Sequence, residues 1–148
     1  MQAIDTNILI HAEVESSHRH RAALDILHRL ADGALPWAIP WPCIYEFLRV
    51  ITHPRVFHPP VPLEIALEDL KRVLASPSLF LLAETDRHPS VLEQVLRQAE
   101  ATGNLMHDAH IAALCIEHGV SEIITGDRDL SRFKGLKVSN PFSAPASH

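Results

Sequence analysis

HDAHIAALCIEHGVSEIITGDRD, residues 107–129, is the stretch that sets the fold class. Its first half follows the turn GNL (103–105) and reads as a helix that closes at Gly119, a glycine in the C-cap position. EIIT (122–125) then reads as a buried strand, and Asp127 stands two residues beyond it. DRDLSRF starts a short helical turn, and LKV (136–138) reads as a last strand.

The same alternation runs back to the N-terminus. Residues 2–5 read as a short strand with Asp5 at its carboxyl end, followed by a helix over 6–14 capped by Asp5 or Thr6. Ala22, Ala23, Ile26, Leu27 and Leu30 repeat at the spacing of one helix face, which predicts a helix over 18–31. PWAIPW (36–41) predicts a brief extended segment, because prolines remove ladder donors and leave helix interiors. Helices follow at 43–51, 62–75 and 89–102, with HPRVFHPP (53–60) as a loop and LFLLA (79–83) as a strand. Strands separated by helices imply right-handed βαβ units and a mostly parallel sheet covered on both faces, an α/β sandwich. Sheets of this kind bind ligands just beyond the carboxyl ends of their strands.

Composition narrows the class. The 148 residues suit one domain, and 47% apolar content excludes a disordered or collagen-like chain. No apolar run approaches the ~20 residues that cross a bilayer, and Asp5 interrupts the place of a signal segment, so a cytoplasmic protein is expected. Cys43 and Cys115 lack partner clusters and read as small buried apolar residues. The net charge of −5 argues against a generic coat on nucleic acid.

Four acids then become informative. Asp5 and Asp127 fall at strand ends, Asp108 in the first turn of a helix, and Glu46 inside an apolar helix between Tyr45 and Phe47. Singly, Asp5 reads as a cap, Asp108 as a partner of a helix dipole and Asp127 as a turn former. Glu46 lies on a solvent edge or is held by a partner. Brought together within ~4–6 Å, however, carboxylates repel unless a proton or a hard cation neutralises them. Such a cluster points to metal-dependent phosphodiester hydrolysis.

DTN near the N-terminus, an isolated Glu on the third helix, DAHIAAL and TGDRDLSRF together resemble the PIN-domain nucleases. More narrowly, PRVF, GNLMHDAHIAALCIEHG and DRDLSRFKGLKVSNPF resemble the VapC-type toxins of prokaryotic toxin–antitoxin pairs. The resemblance implies a PIN-like three-layer α/β/α sandwich over 1–142, and the small polar tail SAPASH (143–148) is expected to fray. It implies a metal-dependent endoribonuclease using Mg²⁺ or Mn²⁺, an RNA substrate, a homodimer and a cognate antitoxin whose segment covers the acidic cleft. Carried over by position, Asp5, Glu46 and Asp108 match the three principal acids and Asp127 the additional one. Asp5 and Asp108 are then the expected metal anchors, with Glu46 and Asp127 completing the set. Asn7 and Thr125 match positions that orient ligands, and Asp129 shares the DRD segment without a matching role. The chain departs from the family at Leu130, where Phe is usual, and at Gly126, where Thr or Ala is frequent.

Setting four of the 18 acids in a cleft leaves 14 against 13 Lys and Arg, a nearly neutral remainder. Arg128, Arg132, Lys134 and Lys137 follow the last site acid and are candidates for phosphate contact, or equally a solvated charged loop. Eleven histidines invite a zinc reading. His18 and His20 diverge on a helix, while His107 and His110 share a face, yet no further ligand completes a tetrahedral set at recognised spacing. They read as surface or cap residues. The apolar faces of 43–51 and 62–75 read mainly as core. Two other classes compete. A haloacid-dehalogenase-type phosphatase needs a second Asp where Asn7 stands, and a non-catalytic PIN-like RNA-binding module should have lost cleft acids that are all present here.

Overall fold

The computed structural model describes residues 1–143, so the expected fraying tail lies outside the described residues from 144 onward. Five strands form one fully parallel sheet in the order β3-β2-β1-β4-β5. They are β1 (Gln2–Ile4), β2 (Trp37–Pro40), β3 (Leu79–Leu82), β4 (Glu122–Ile124) and β5 (Lys137–Ser139). Six helices connect and cover them: α1 (Thr6–Glu13), α2 (His20–Asp32), α3 (Trp41–Ile51), α4 (Leu63–Leu74), α5 (His88–Ala99) and α6 (Leu105–Glu117). Helix α1 packs against α2 and α3, and α5 packs against α6. The architecture is the expected α/β/α sandwich.

The central strands β1, β2 and β4 are covered on both faces, while the edge strands β3 and β5 are partly exposed. Ala3, Ile4, Trp37, Ala38, Ile39 and Ile123 have no exposed surface, as parallel strands between helical layers require. Helix α6 shows the same constraint. Ala109, Ile111, Ala112, Ala113, Leu114 and Cys115 are all buried, and the three alanines hold the helix close to its neighbours.

The segment read only as briefly extended is β2, buried along its whole length and paired on both sides. Its prolines fall outside the ladder's needs. Pro36 precedes the strand and Pro40 ends it, so Trp37 still donates to the carbonyl of Ser78 at 3.1 Å.

Strand order places the site. The chain builds outward from β1 through β2 to β3, then returns to the other side of β1 for β4 and β5. The reversal puts a topological switch point between the carboxyl ends of β1 and β4, the position where open α/β sheets form a crevice. Asp5 and Thr125 are the residues that leave those two strands.

Away from that edge, α1, α2 and α4 enclose a groove of about 330 Å³ lined by Leu9, Ala12, Leu27, Phe47 and Val73 together with Glu13, Asp69 and Arg72. Burial first, and then the neighbouring Asp69 carboxyl, push Glu13 up to about 7, with the Arg72 guanidinium opposing. A carboxyl raised above its unfolded value binds more protons in the native state, so its contribution falls as pH rises from about 4.5 to about 7. Glu13→Gln is therefore expected to raise the thermal midpoint at pH 8 and leave it little changed at pH 4, read by circular dichroism melts. An equal shift at both pH values would refute the electrostatic account.

Candidate active site

At the switch point the backbone first ties the two strands together, with the amide of Asp5 donating to the carbonyl of Ile124 at 3.0 Å. The side chains then repeat the tie. Thr125 Oγ1 donates to Asp5 Oδ2 at 2.7 Å and accepts from Asn7 Nδ2 and from the Asp127 amide, each at 2.9 Å. Asn7 Nδ2 also reaches Asp5 Oδ2 at 3.2 Å, and Asn7 Oδ1 accepts from the Gly126 amide at 2.9 Å. One hydroxyl with its donor and both acceptor positions filled thus links three segments. Thr125 is fully buried.

Asp5 is buried too, at 5% exposure. Its other oxygen accepts from the Thr6 amide at 2.8 Å and from Cys43 Sγ at 3.4 Å. The helix-cap reading and the cleft reading of this residue are compatible: Asp5 is the N-cap of α1 and faces β4 at once. Cys43, read from sequence as a small apolar filler, is a hydrogen-bond donor to the acid. Burial, followed by the nearby Asp5 charge, pushes its thiol pKa well above the ordinary range, which keeps the S–H proton in place for that bond.

Three acids converge beside this network. Asp108, Asp127 and Asp129 each offer a carboxylate oxygen, and these oxygens lie within 4.8 Å of one another. Asp108 reaches the spot from the first turn of α6. Asp127 caps a short 3₁₀ turn, Arg128–Arg132, accepting from the Asp129 amide at 2.9 Å. That local bond turns the chain so that the acid two residues on lies beside its neighbour. Burial first, then Asp127 and Asp5, and more weakly Asp129, push Asp108 up to about 6 against the pull of His107. Asp5 lies outside the trio yet near enough to act on Asp108.

The oxygen-only donor set fits a hard divalent cation such as Mg²⁺ or Mn²⁺, and poorly fits a soft one. Asp108, raised first by burial and then by the neighbouring acids, is a carboxyl whose charged form such an ion would favour. Asp129, which had no matching role in the sequence, sits with the trio, whereas Glu46 does not. Both Glu46 oxygens are taken by Arg49 one turn along α3, Nε to Oε2 at 3.1 Å and Nη2 to Oε1 at 2.6 Å. That bond, with burial opposing, holds Glu46 below the usual carboxylate range, and His107 adds to the same pull. Of the two alternatives left open for this acid, the partner is present.

The departures from the family pattern have structural reasons. A side chain at Gly126 would place its Cβ 2.9 Å from the Phe142 ring. That ring packs edge-on to His11 at 5.2 Å and under Arg19 at 5.0 Å. Leu130 has no exposed surface and seats the 3₁₀ turn. Arg128, Arg132 and Lys134 are exposed, while Lys137 pairs with Glu122 at 3.3 Å.

Comparison with known proteins agrees with this geometry. The PIN domain family model matches residues 3–136. Ribonuclease VapC48 of Mycobacterium tuberculosis is 31% identical over 142 residues, covering 96% of this chain and 98% of that protein. Ribonuclease VapC37 of the same organism is 34% identical over 141 residues, 95% of this chain and 97% of that one. Among solved structures, VapBC2 from Rickettsia felis bound to a promoter DNA fragment superposes with a TM-score of 0.68 at 18% identity, over 94% of this chain and 97% of that chain. M. tuberculosis VapC20, described as a sarcin-ricin loop cleaving toxin, gives 0.61 at 15% identity over 90% and 96%. With an acidic crevice at the switch point of a parallel sheet and relatives matched along nearly their whole length, the chain belongs to the PIN-domain family, in its VapC ribonuclease branch.

Proposed function

We propose that this protein is a Mg²⁺- or Mn²⁺-dependent endoribonuclease that acts as the toxin of a toxin–antitoxin pair. The observation that carries the reading is the convergence of Asp108, Asp127 and Asp129 beside a buried Asp5 held by four donors. Relatives named as VapC ribonucleases support the substrate class, and neighbours described as VapBC complexes support a protein antitoxin. RNA as substrate places the activity in the cytoplasm, and no helix among the described residues is long and apolar enough to cross a membrane.

In this mechanism Asp108, Asp127 and Asp129 would hold the cation, and Asp5 would join them directly or through water. When bound, a divalent ion stabilises the charge that develops on the attacked phosphate. Thr125 and Asn7 act through Asp5 by fixing its carboxylate. Once its oxygens are free of Arg49, Glu46 would complete the cluster around the ion and take the proton of the attacking water. The water oxygen forms a bond to phosphorus while the bond from phosphorus to the leaving ribose oxygen breaks, and that oxygen takes a proton from solvent water. Arg128, Arg132 and Lys134 lie along the exposed chain after the last acids and contact the RNA backbone. We infer a homodimer from the family pattern, and an antitoxin segment that closes the acidic crevice.

Asp108→Asn and Asp5→Asn are expected to abolish divalent-ion-dependent cleavage of total RNA, with far-UV circular dichroism unchanged. Cleavage at the wild-type rate by a folded Asp108→Asn protein, or wild-type cleavage in excess chelator, would refute the assignment. Expression in a bacterial host tests the toxin role: growth should stop with the wild type and continue with Asp108→Asn.

Thr125→Val removes the shortest bond to Asp5 and keeps the volume. It is expected to cost ~10–100-fold in cleavage rate, the usual range for a residue that orients a ligand. Retained full activity would show that the acid needs no such support. Arg49→Ala releases Glu46, and is expected to tighten apparent Mg²⁺ binding several-fold in a cleavage titration. An unchanged midpoint would place Glu46 outside the ion's reach.

A further inference from the structure

A second convergence of ligating groups lies elsewhere on α6, and the sequence spacing of the histidines concealed it. Glu84, His88 and His110 each offer one ligand atom, and these atoms lie within 4.8 Å of one another. They come from three elements: the loop after β3, the first residue of α5, and the second turn of α6. His110 is two residues from Asp108, about 200° around the helix, so this cluster faces away from the acidic trio.

The geometry is more than a surface ion pair. His110 Nε2 meets Glu84 Oε1 at 2.7 Å, which hydrogen bonding alone explains. The His88 ring requires more. Its Nδ1 is held by both oxygens of Glu117, at 3.0 and 3.1 Å, and its centroid lies 5.6 Å from that of His110, edge to face. Holding Nδ1 against a carboxylate fixes the orientation of the ring and leaves Nε2 on its other side. The Glu117 side chain has no exposure at all, and that of His88 only 13%. A carboxylate that deeply buried is costly unless positive charge compensates it. The Arg87 guanidinium, which donates through Nη2 to the backbone carbonyl of Glu117, brings positive charge close by, and a divalent cation on the imidazole would add to it. A buried carboxylate holding the far nitrogen of a histidine is the usual support behind a metal-ligating imidazole.

We propose that Glu84, His88 and His110 form a second metal site, for a borderline divalent transition ion of the zinc class, with Glu117 orienting His88. Two imidazoles and one carboxylate are a zinc donor set, and the fourth tetrahedral position is left to water. Ligands ~2.0–2.1 Å from zinc stand about 3.3 Å apart. The Glu84–His110 contact, 2.7 Å at present, opens by about 0.6 Å on binding, a rotation available to the half-exposed Glu84. The ion would clamp the β3–α5 loop and the start of α5 onto α6. His118 Nε2 already pins that loop through the carbonyl of Ala83, at 2.7 Å.

The test uses untagged full-length protein stripped of metal, titrated with Co²⁺ and followed by its visible absorption, then back-titrated with Zn²⁺. One equivalent should give the intense visible bands of four-coordinate cobalt, which an octahedral oxygen site lacks, and zinc should raise the thermal midpoint. Asp108→Asn/Asp127→Asn protein, whose acidic crevice is disabled, should keep both signals. His110→Ala and Glu84→Ala should each weaken zinc binding at least tenfold and lose the thermal shift. His88→Ala strands the buried Glu117 carboxylate, so the decision rests on the other two variants, which alter more exposed side chains. Undiminished zinc binding by His110→Ala and Glu84→Ala would overturn the proposal. So would loss of the signal in the crevice variant, or binding without a thermal shift. RNA cleavage is not a readout in any arm, so this site and the catalytic reading fail independently.

Discussion

The hydrogen bond from Thr125 Oγ1 to Asp5 Oδ2, 2.7 Å and buried, is the constraint on which the rest of the site depends. It joins the carboxyl ends of β1 and β4, the two strands that flank the point where the chain reverses its direction of sheet growth. A crevice at such a point opens because successive connections leave to opposite sides. Here the crevice would be lined by a buried negative charge, and four donors to Asp5 make that charge tolerable. The same Thr125 hydroxyl accepts from the Asp127 amide, so the fixing of Asp5 and the placement of the acidic loop are one event.

From that fixed point the remaining acids follow by short chemical steps. Asp127 caps its own turn and presents Asp129. Asp108 stands at the positive end of α6, where a negative charge is favoured. Its pKa is nevertheless raised to about 6, as burial and the neighbouring acids outweigh the pull of His107. Local structure alone therefore does not account for three carboxylates within 4.8 Å. The arrangement becomes intelligible when a cation completes it.

What the sequence disclosed, and what it hid, divides along a physical line. Periodicity, glycine placement and short apolar runs are local, and they located the five strands and six helices of the described residues with shifts of one to three residues. Asp5, Asp108 and Asp127 could be singled out because each lies at the end of a strand or the start of a helix, whereas Asn7 and Thr125 came from the family resemblance. Pairings that depend on the fold were not visible. Cys43 meets Asp5 across 38 residues and His88 meets Glu117 across 29, and neither type of residue announces a partner in one dimension. The Glu46–Arg49 bond was a missed local signal, since residues three apart on a helix are neighbours. The extended segment at β2 was undervalued because its two prolines were weighed as breakers, although they occupy the positions where a strand tolerates them.

Helix α6 joins these strands of reasoning. It is nearly all apolar and small on the residues that meet the sheet and its neighbours, which fixes its rotation and height closely. A helix held that firmly transmits placement along its whole length. Asp108 at its start is therefore positioned by Ala109, Ala112 and Ala113 as much as by its own contacts, and Glu117 at its end is positioned by the same packing. The tightly packed face is what lets one helix fix a carboxylate near each of its ends, Asp108 in the acidic trio and Glu117 behind His88. Substituting a larger side chain at Ala112 would disturb both ends together, because a close-packed interior yields by moving the element and not by absorbing the volume locally.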